Sequence, residues 1–150
     1  MPGYLLDTNV WIAFNFGSHP HSAHAIAFIE SCTTDSPALF SRPVETSTLR
    51  LMSNPSICLA YNSPAMTNQQ AAIVLKDWQS HDHINCLNAE PVNTRELWIE
   101  LASIPTASPK VWMDAYLAAF AICAGHPFAT LDTDFRCFES KGLQLCLLAT

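Results

Sequence analysis

The chain has 150 residues, 49% of them hydrophobic and only 13% charged, which is enough for one well-packed core in a single domain over 1–150 and excludes a disordered chain. No run approaches the ~18 apolar residues of a membrane span, and the start goes into Tyr4-Leu5-Leu6 without a basic segment, so a cytoplasmic protein with no membrane contact is expected. The net charge of -6 counts against simple electrostatic binding of a phosphate backbone, but not against a nuclease that works through divalent ions, because such ions reverse the local field.

Residues 3–7 read as a short buried strand that ends in Asp7, and Thr8 to Phe16 as a short apolar helix closed near Gly17. His19-Pro20-His21-Ser22 opens a second helix that runs to about Cys32. Pro37 to Phe40 reads as a second strand, with Ser41 placed to cap a helix from Arg42 to about Met52 that the Ser53-Asn54-Pro55 turn stops. Residues 53–66, with Pro55 and Pro64, read as an irregular excursion. Thr67 caps a helix to about Trp78, Ile84 to Leu87 form a third strand, and Thr94 to Ile104 a further helix. Ser108-Pro109 begins the most apolar helix, which ends at Ala124 before Gly125. Phe128 to Leu131 read as a fourth strand, followed by Asp132, and Leu143 to Leu148 as a last one. Strands alternating with helices predict an α/β fold: a mostly parallel sheet with helices on both faces. In such sheets the ligand crevice lies outside the carboxyl ends of the strands, where Asp7 and Asp132 both fall.

The acids carry the functional argument. Asp7 has two readings: a cap for the helix that follows, or a carboxylate held at a strand end by a cation. Asp114 is the only acid between Pro109 and Ala124, and a helix apolar all round is expected to be buried. A buried carboxylate needs a cation or a dense set of hydrogen bonds. Glu45 lies in a first helical turn, where the dipole favours it, and an ion pair with Arg42 or Arg50 is the plain alternative. Asp132 and Asp134 are turn residues or part of a cation site. Closely set carboxylates repel, so a hard ion such as Mg²⁺ or Mn²⁺ is the natural counter-charge for a cluster without His or Cys.

The six cysteines are scattered without a C-x-x-C pair and read as free thiols. His19, His21 and His24 read as surface residues at a helix start, and His81-Asp82-His83 as a polar turn. Trp11, Phe14, Trp78, Trp98, Trp112 and Phe120 read as mostly core by spacing, with stacking of Trp11 or Trp112 on an RNA base as the lesser reading. Arg50 and Lys110 are the candidates for gripping substrate phosphate.

Four segments together resemble PIN-domain ribonucleases, and within them the VapC toxins of bacterial toxin–antitoxin pairs. They are LLDTNVWIA (Leu5–Ala13), RPVETSTLRLMSNP (Arg42–Pro55), WMDAYLAAFA (Trp112–Ala121) and ATLDTDF (Ala129–Phe135). The resemblance implies a three-layer α/β/α fold with about five parallel strands and an acidic pocket for Mg²⁺ or Mn²⁺. Position by position, it puts the catalytic acids at Asp7, Glu45, Asp114 and Asp132, with Asp134 an accessory or alternate ligand. Asn9 and Thr130 match the family's polar helpers. It also implies a cognate VapB-like antitoxin, an RNA substrate, a homodimer, and contact with promoter DNA only through the antitoxin.

Two other functions compete with a metal-dependent endoribonuclease. A phosphatase using Asp7 as nucleophile would want an acid where Asn9 stands. A non-catalytic binding module would keep the fold and act through a partner protein.

Overall fold

In the computed structural model, which describes residues 3–149, β1 (Tyr4–Leu6) lies at the middle of the sheet. β2 (Ala38–Ser41) and β3 (Ile84–Leu87) follow on one side of it, and β4 (Phe128–Thr130) and β5 (Leu145–Leu147) on the other. The order is β3-β2-β1-β4-β5, and each of the four pairings is parallel. Inner strands of a parallel sheet are covered on both faces, and their sequences show it: Leu5, Leu6, Ala38, Leu39, Phe40, Phe128 and Ala129 are all buried.

Between β1 and β2 run α1 (Thr8–Asn15) and α2 (Ser22–Ser31); between β2 and β3 run α3 (Arg42–Met52), α4 (Pro55–Ala60) and α5 (Asn68–Gln79). α6 (Thr94–Ala102) and α7 (Pro109–Ala124) make the return from β3 to β4. Right-handed crossovers that first move outward from β1 and then return past it place the two sets of helices on opposite faces. Accordingly α1 packs on α2 and α3, α3 on α5, and α6 on α7. The expected three-layer α/β/α architecture is therefore present. The chain reverses direction across the sheet at β1, with β2 and β4 as its neighbours, and this opens the crevice at the carboxyl end of β1 and β4.

The structure departs from the sequence reading in four places. Residues 55–60 are helical rather than irregular. The Asn54-Pro55 pair that stops α3 also starts α4: the Asn54 side chain accepts from the N–H groups of Ser56 and Ile57, and Pro55 fills a first-turn position that has no N–H to satisfy. Ser41 stands at the cap position of α3 but its side chain makes no capping bond. β5 begins at Leu145, with Leu143 buried in the connection before it. Finally, α7 is not buried all round: Trp112 and Met113 are 52% and 48% exposed. Thr67 does cap α5, in a reciprocal box with Gln70. No helix among the described residues is long and apolar enough to cross a membrane.

The α1 face of the core is built on Trp11. It is fully buried, and its ring stacks on Phe40 of β2 at 3.9 Å and lies 5.7 Å from Trp78 of α5. The core reading of this residue holds, and it is not exposed for base stacking. Trp11→Ala should cost about 3–5 kcal/mol, read as a drop in the urea midpoint. A loss below about 1 kcal/mol would show that the stack is not holding α1 to the sheet.

Candidate active site

Asp7 follows β1 directly, so its position is set by the sheet: its N–H donates to the Ala129 carbonyl of β4 at 2.9 Å. Its side chain is buried, and both carboxylate oxygens are engaged. Oδ1 accepts from the Thr8 N–H at 2.8 Å, and Oδ2 accepts from the Thr130 hydroxyl at 2.7 Å. The helix-cap reading is thus realised in part. Burial nevertheless pushes the Asp7 pKa up to about 6; the Thr130 and Thr8 bonds oppose the rise, and the charges of Asp114 and Asp132 add to it.

Thr130 ends β4 and is fully buried. While donating to Asp7, its oxygen accepts from the Asn9 amide at 3.2 Å and from the Asp132 N–H at 3.0 Å. Asn9 also accepts from the Leu131 N–H at 3.2 Å. One hydroxyl and one amide therefore fix the start of α1 against the end of β4, a junction of residues more than 120 apart in sequence.

Asp132 caps the 3-10 helix Thr133–Lys141 by accepting from the Asp134 N–H at 2.9 Å. Its other oxygen meets the Lys110 ammonium at 2.9 Å. The same ammonium lies 2.9 Å from Asp114, one turn along α7, and 3.3 Å from Asp134. Burial raises the Asp114 pKa; Lys110 opposes the rise, and the charges of Asp132 and Asp134 add to it. Burial also works against Asp132, but Lys110 and the Asp134 N–H outweigh it and hold this acid below the usual range. The Lys110 pKa is raised, chiefly by its bond to Asp132 and then by Asp114. The partner that Asp114 required is thus a lysine of its own helix, and its side chain is 18% exposed rather than fully buried.

Glu45 is separate from this group. It is buried in the first turn of α3, and its two oxygens accept from Arg42 at 2.6 Å and from Gln79 of α5 at 2.7 Å. Arg42 in turn donates to Asn88. The ion-pair alternative with Arg42 is what forms. Arg50 is exposed near the far end of α3, beside Leu49, Ser53, Asn68 and Ala71, and is not brought to the acids. Trp112 lines an open apolar cleft with Pro43, Trp98, Pro109, Met113 and Tyr116, which corrects its assignment to the core. The cluster of His19, His21 and His24 sits at the start of α2 without an acidic partner among the described residues.

The donors around the crevice are carboxylate oxygens supported by a hydroxyl and an amide, a set suited to a hard cation. Among the described residues no three His, Cys, Asp or Glu side chains stand close enough to hold a metal ion as they are. Three carboxylates gather instead around the Lys110 ammonium, whose positive charge offsets theirs. Ser41, 0% exposed and with a hydroxyl that has no protein partner, lies two residues beyond Leu39, level with Asp7 in the β1–β2 register.

Residues 4–139 match the PIN domain family. The sequence is 37% identical over 145 residues to ribonuclease VapC41 of Mycobacterium tuberculosis, a match spanning 97% of this chain and 98% of that protein. This chain belongs to the VapC ribonucleases of the PIN-domain family. Solved structures share its fold at low identity. VapC20 of Mycobacterium tuberculosis, a sarcin-ricin loop cleaving toxin, superposes with a TM-score of 0.62 at 17% identity over 93% of this chain and 95% of that one. VapBC2 of Rickettsia felis, bound to a DNA fragment from its promoter, gives 0.65 at 14% identity over 97% and 98%.

In this VapC ribonuclease, one contact has no signal in the sequence and another has one. Gln79 gave no local sign of pairing with Glu45, 34 residues away. Lys110 did carry a sign, its i,i+4 spacing from Asp114 on a helix, which marks an ion pair more directly than a phosphate grip.

The Asp7 pKa makes a stability prediction. Its folded value of about 6 lies above the ordinary 3.8, so its favourable contribution is complete below pH ~4 and is lost as pH rises through about 6. Above that, ionised Asp7 costs up to about 3 kcal/mol. Asp7→Asn should therefore raise stability at pH 7 by about 1–3 kcal/mol and flatten its fall between pH 4 and 6, in urea titrations at each pH. A variant less stable than wild type at pH 7 would show that the carboxylate is not strained there. Thr130→Val should instead destabilise by about 3 kcal/mol, since Asp7, Asn9 and the Asp132 N–H all lose a partner, while Thr130→Ser should restore most of the loss in the same assay.

Proposed function

We propose that this chain is a Mg²⁺- or Mn²⁺-dependent endoribonuclease, the toxin of a type II toxin–antitoxin pair, that hydrolyses phosphodiester bonds of structured RNA such as tRNA or rRNA. The observation that carries the reading is the gathering of Asp7, Asp114 and Asp132 at one sheet edge, where Thr130 bonds both Asp7 and the Asp132 N–H and Lys110 bridges Asp132 and Asp114. Such an arrangement has little structural merit, because like charges in a partly buried crevice oppose folding. It suits a site that holds a cation.

In this reading Asp7, Asp114 and Asp132 hold the metal, Glu45 acts through a water, and Asp134 is an accessory ligand. Asn9 and Thr130 set the geometry. The Thr130 hydroxyl keeps the Asp7 carboxylate in one orientation, and the unused lone pairs of Asp7 remain available to the crevice. Asn9 holds the β4 end, and so Asp132, at a fixed distance from Asp7. A bound divalent ion supplies Lewis acidity, lowering the pKa of the attacking water and offsetting charge on the phosphoryl oxygens. The water oxygen bonds to phosphorus as the bond to the 3′ oxygen breaks, leaving 5′-phosphate and 3′-hydroxyl ends. The cytoplasm is the setting, a homodimer the assembly, and a VapB-like antitoxin the partner that carries any contact with promoter DNA. The VapBC complexes of Haemophilus influenzae and Rickettsia felis, which share the fold, support that partnership.

Cleavage of a labelled RNA pool in Mg²⁺ tests this function. Asp7→Asn and Asp114→Asn should each lower the rate by at least about 100-fold while leaving a cooperative unfolding transition, and chelation should abolish it. If either variant cuts at near wild-type rate, the metal assignment fails. If wild-type protein binds no Mn²⁺ and cuts no RNA, the non-catalytic module takes its place.

A further inference from the structure

We propose that Lys110 is a built-in counter-cation: its ammonium takes the place of the divalent ion among Asp114, Asp132 and Asp134, and the ion loads only by displacing it. The inference rests on the metal-dependent reading above and concerns what controls loading.

Three distances carry it. The ammonium lies 2.9 Å from Asp114, 2.9 Å from Asp132 and 3.3 Å from Asp134. A divalent ion bonded to the Asp114 or Asp132 oxygen at roughly 2.0–2.1 Å would stand within about 5 Å of the ammonium, where two like charges repel strongly. The contacts also join two parts of the fold. Lys110 and Asp114 belong to the first turns of α7, whereas Asp132 and Asp134 follow β4. Without the ion, the lysine ties these together and offsets the repulsion between the acids.

The residue is suited to leave. Its side chain is 61% exposed, so its four-carbon arm can swing out without opening the core. An ammonium is a compact and strongly hydrated point charge that regains water readily. Arg42 treats Glu45 differently: that acid is also held by Gln79 and is buried, so no comparable exchange is open to it. Lys110 therefore sets the divalent concentration at which the site fills, and it acts as a positioning residue for the acids until then.

The test is calorimetric titration of Mn²⁺ into the full-length wild type, Lys110→Met, Lys110→Gln, Lys110→Arg and Lys76→Met, the last removing the same charge from the exposed face of α5. Lys110→Met and Lys110→Gln should bind Mn²⁺ on the order of tenfold more tightly than wild type, with the other two within about threefold of it. Thermal unfolding gives a second readout. In chelator, Lys110→Met should melt below wild type, and Mn²⁺ should raise its midpoint by more than it raises that of wild type. Equal or weaker Mn²⁺ binding by both neutral variants, beside measurable binding by wild type, overturns the role of Lys110 alone. Absence of Mn²⁺ binding by every protein overturns the metal reading and this inference with it.

Discussion

Repulsion among carboxylates at the carboxyl edge of β1 and β4 is the constraint on which the rest of the site depends. Asp7, Asp114, Asp132 and Asp134 come from three separate stretches of chain, and the fold supplies a counter-charge or a donor for each. Asp7, the most buried, has hydrogen bonds but no cation in contact among the described residues, and its pKa rises to about 6. Asp132, which has both an ammonium and an N–H, is held low. The difference follows the donors each acid receives and the water each has lost.

Thr130 links this electrostatic arrangement to the sheet. Its hydroxyl is the only group that contacts Asp7, Asn9 and the Asp132 backbone together among the bonds described. It ends an inner strand, where β4 pairs with β1 on one side and Thr130 itself pairs with Leu147 of β5 on the other. The sheet thereby sets the spacing of two acids that cap the helices following β1 and β4. This is the usual division in parallel α/β folds: strands provide rigidity, and the loops at their carboxyl ends provide chemistry.

The separation between Glu45 and the other acids has a physical basis too. α3 begins at the end of β2, on the other side of β1 from β4, so Glu45 approaches the crevice from the far flank. There the Arg42 guanidinium and the Gln79 amide satisfy both of its oxygens, so its burial is tolerated without a metal ion.

Much of the fold was legible in the chain. Strand and helix alternation gave the parallel sheet, and Pro109 and Gly125 marked α7, because these signals are local and depend on backbone chemistry alone. The helix at 55–60 is hidden in the sequence because one Asn-Pro pair ends one helix and begins the next. Trp112 was misplaced because apolar composition says nothing about which face of α7 meets α6 and which meets solvent. The sequence by itself determined the residue types and the strand ends that put Asp7 and Asp132 on one edge. Only the tertiary structure decided that Thr130 holds Asp7, that Gln79 holds Glu45, and that Lys110 reaches Asp132 and Asp134 as well as Asp114 of its own helix, since these contacts between elements span chain separations with no local code.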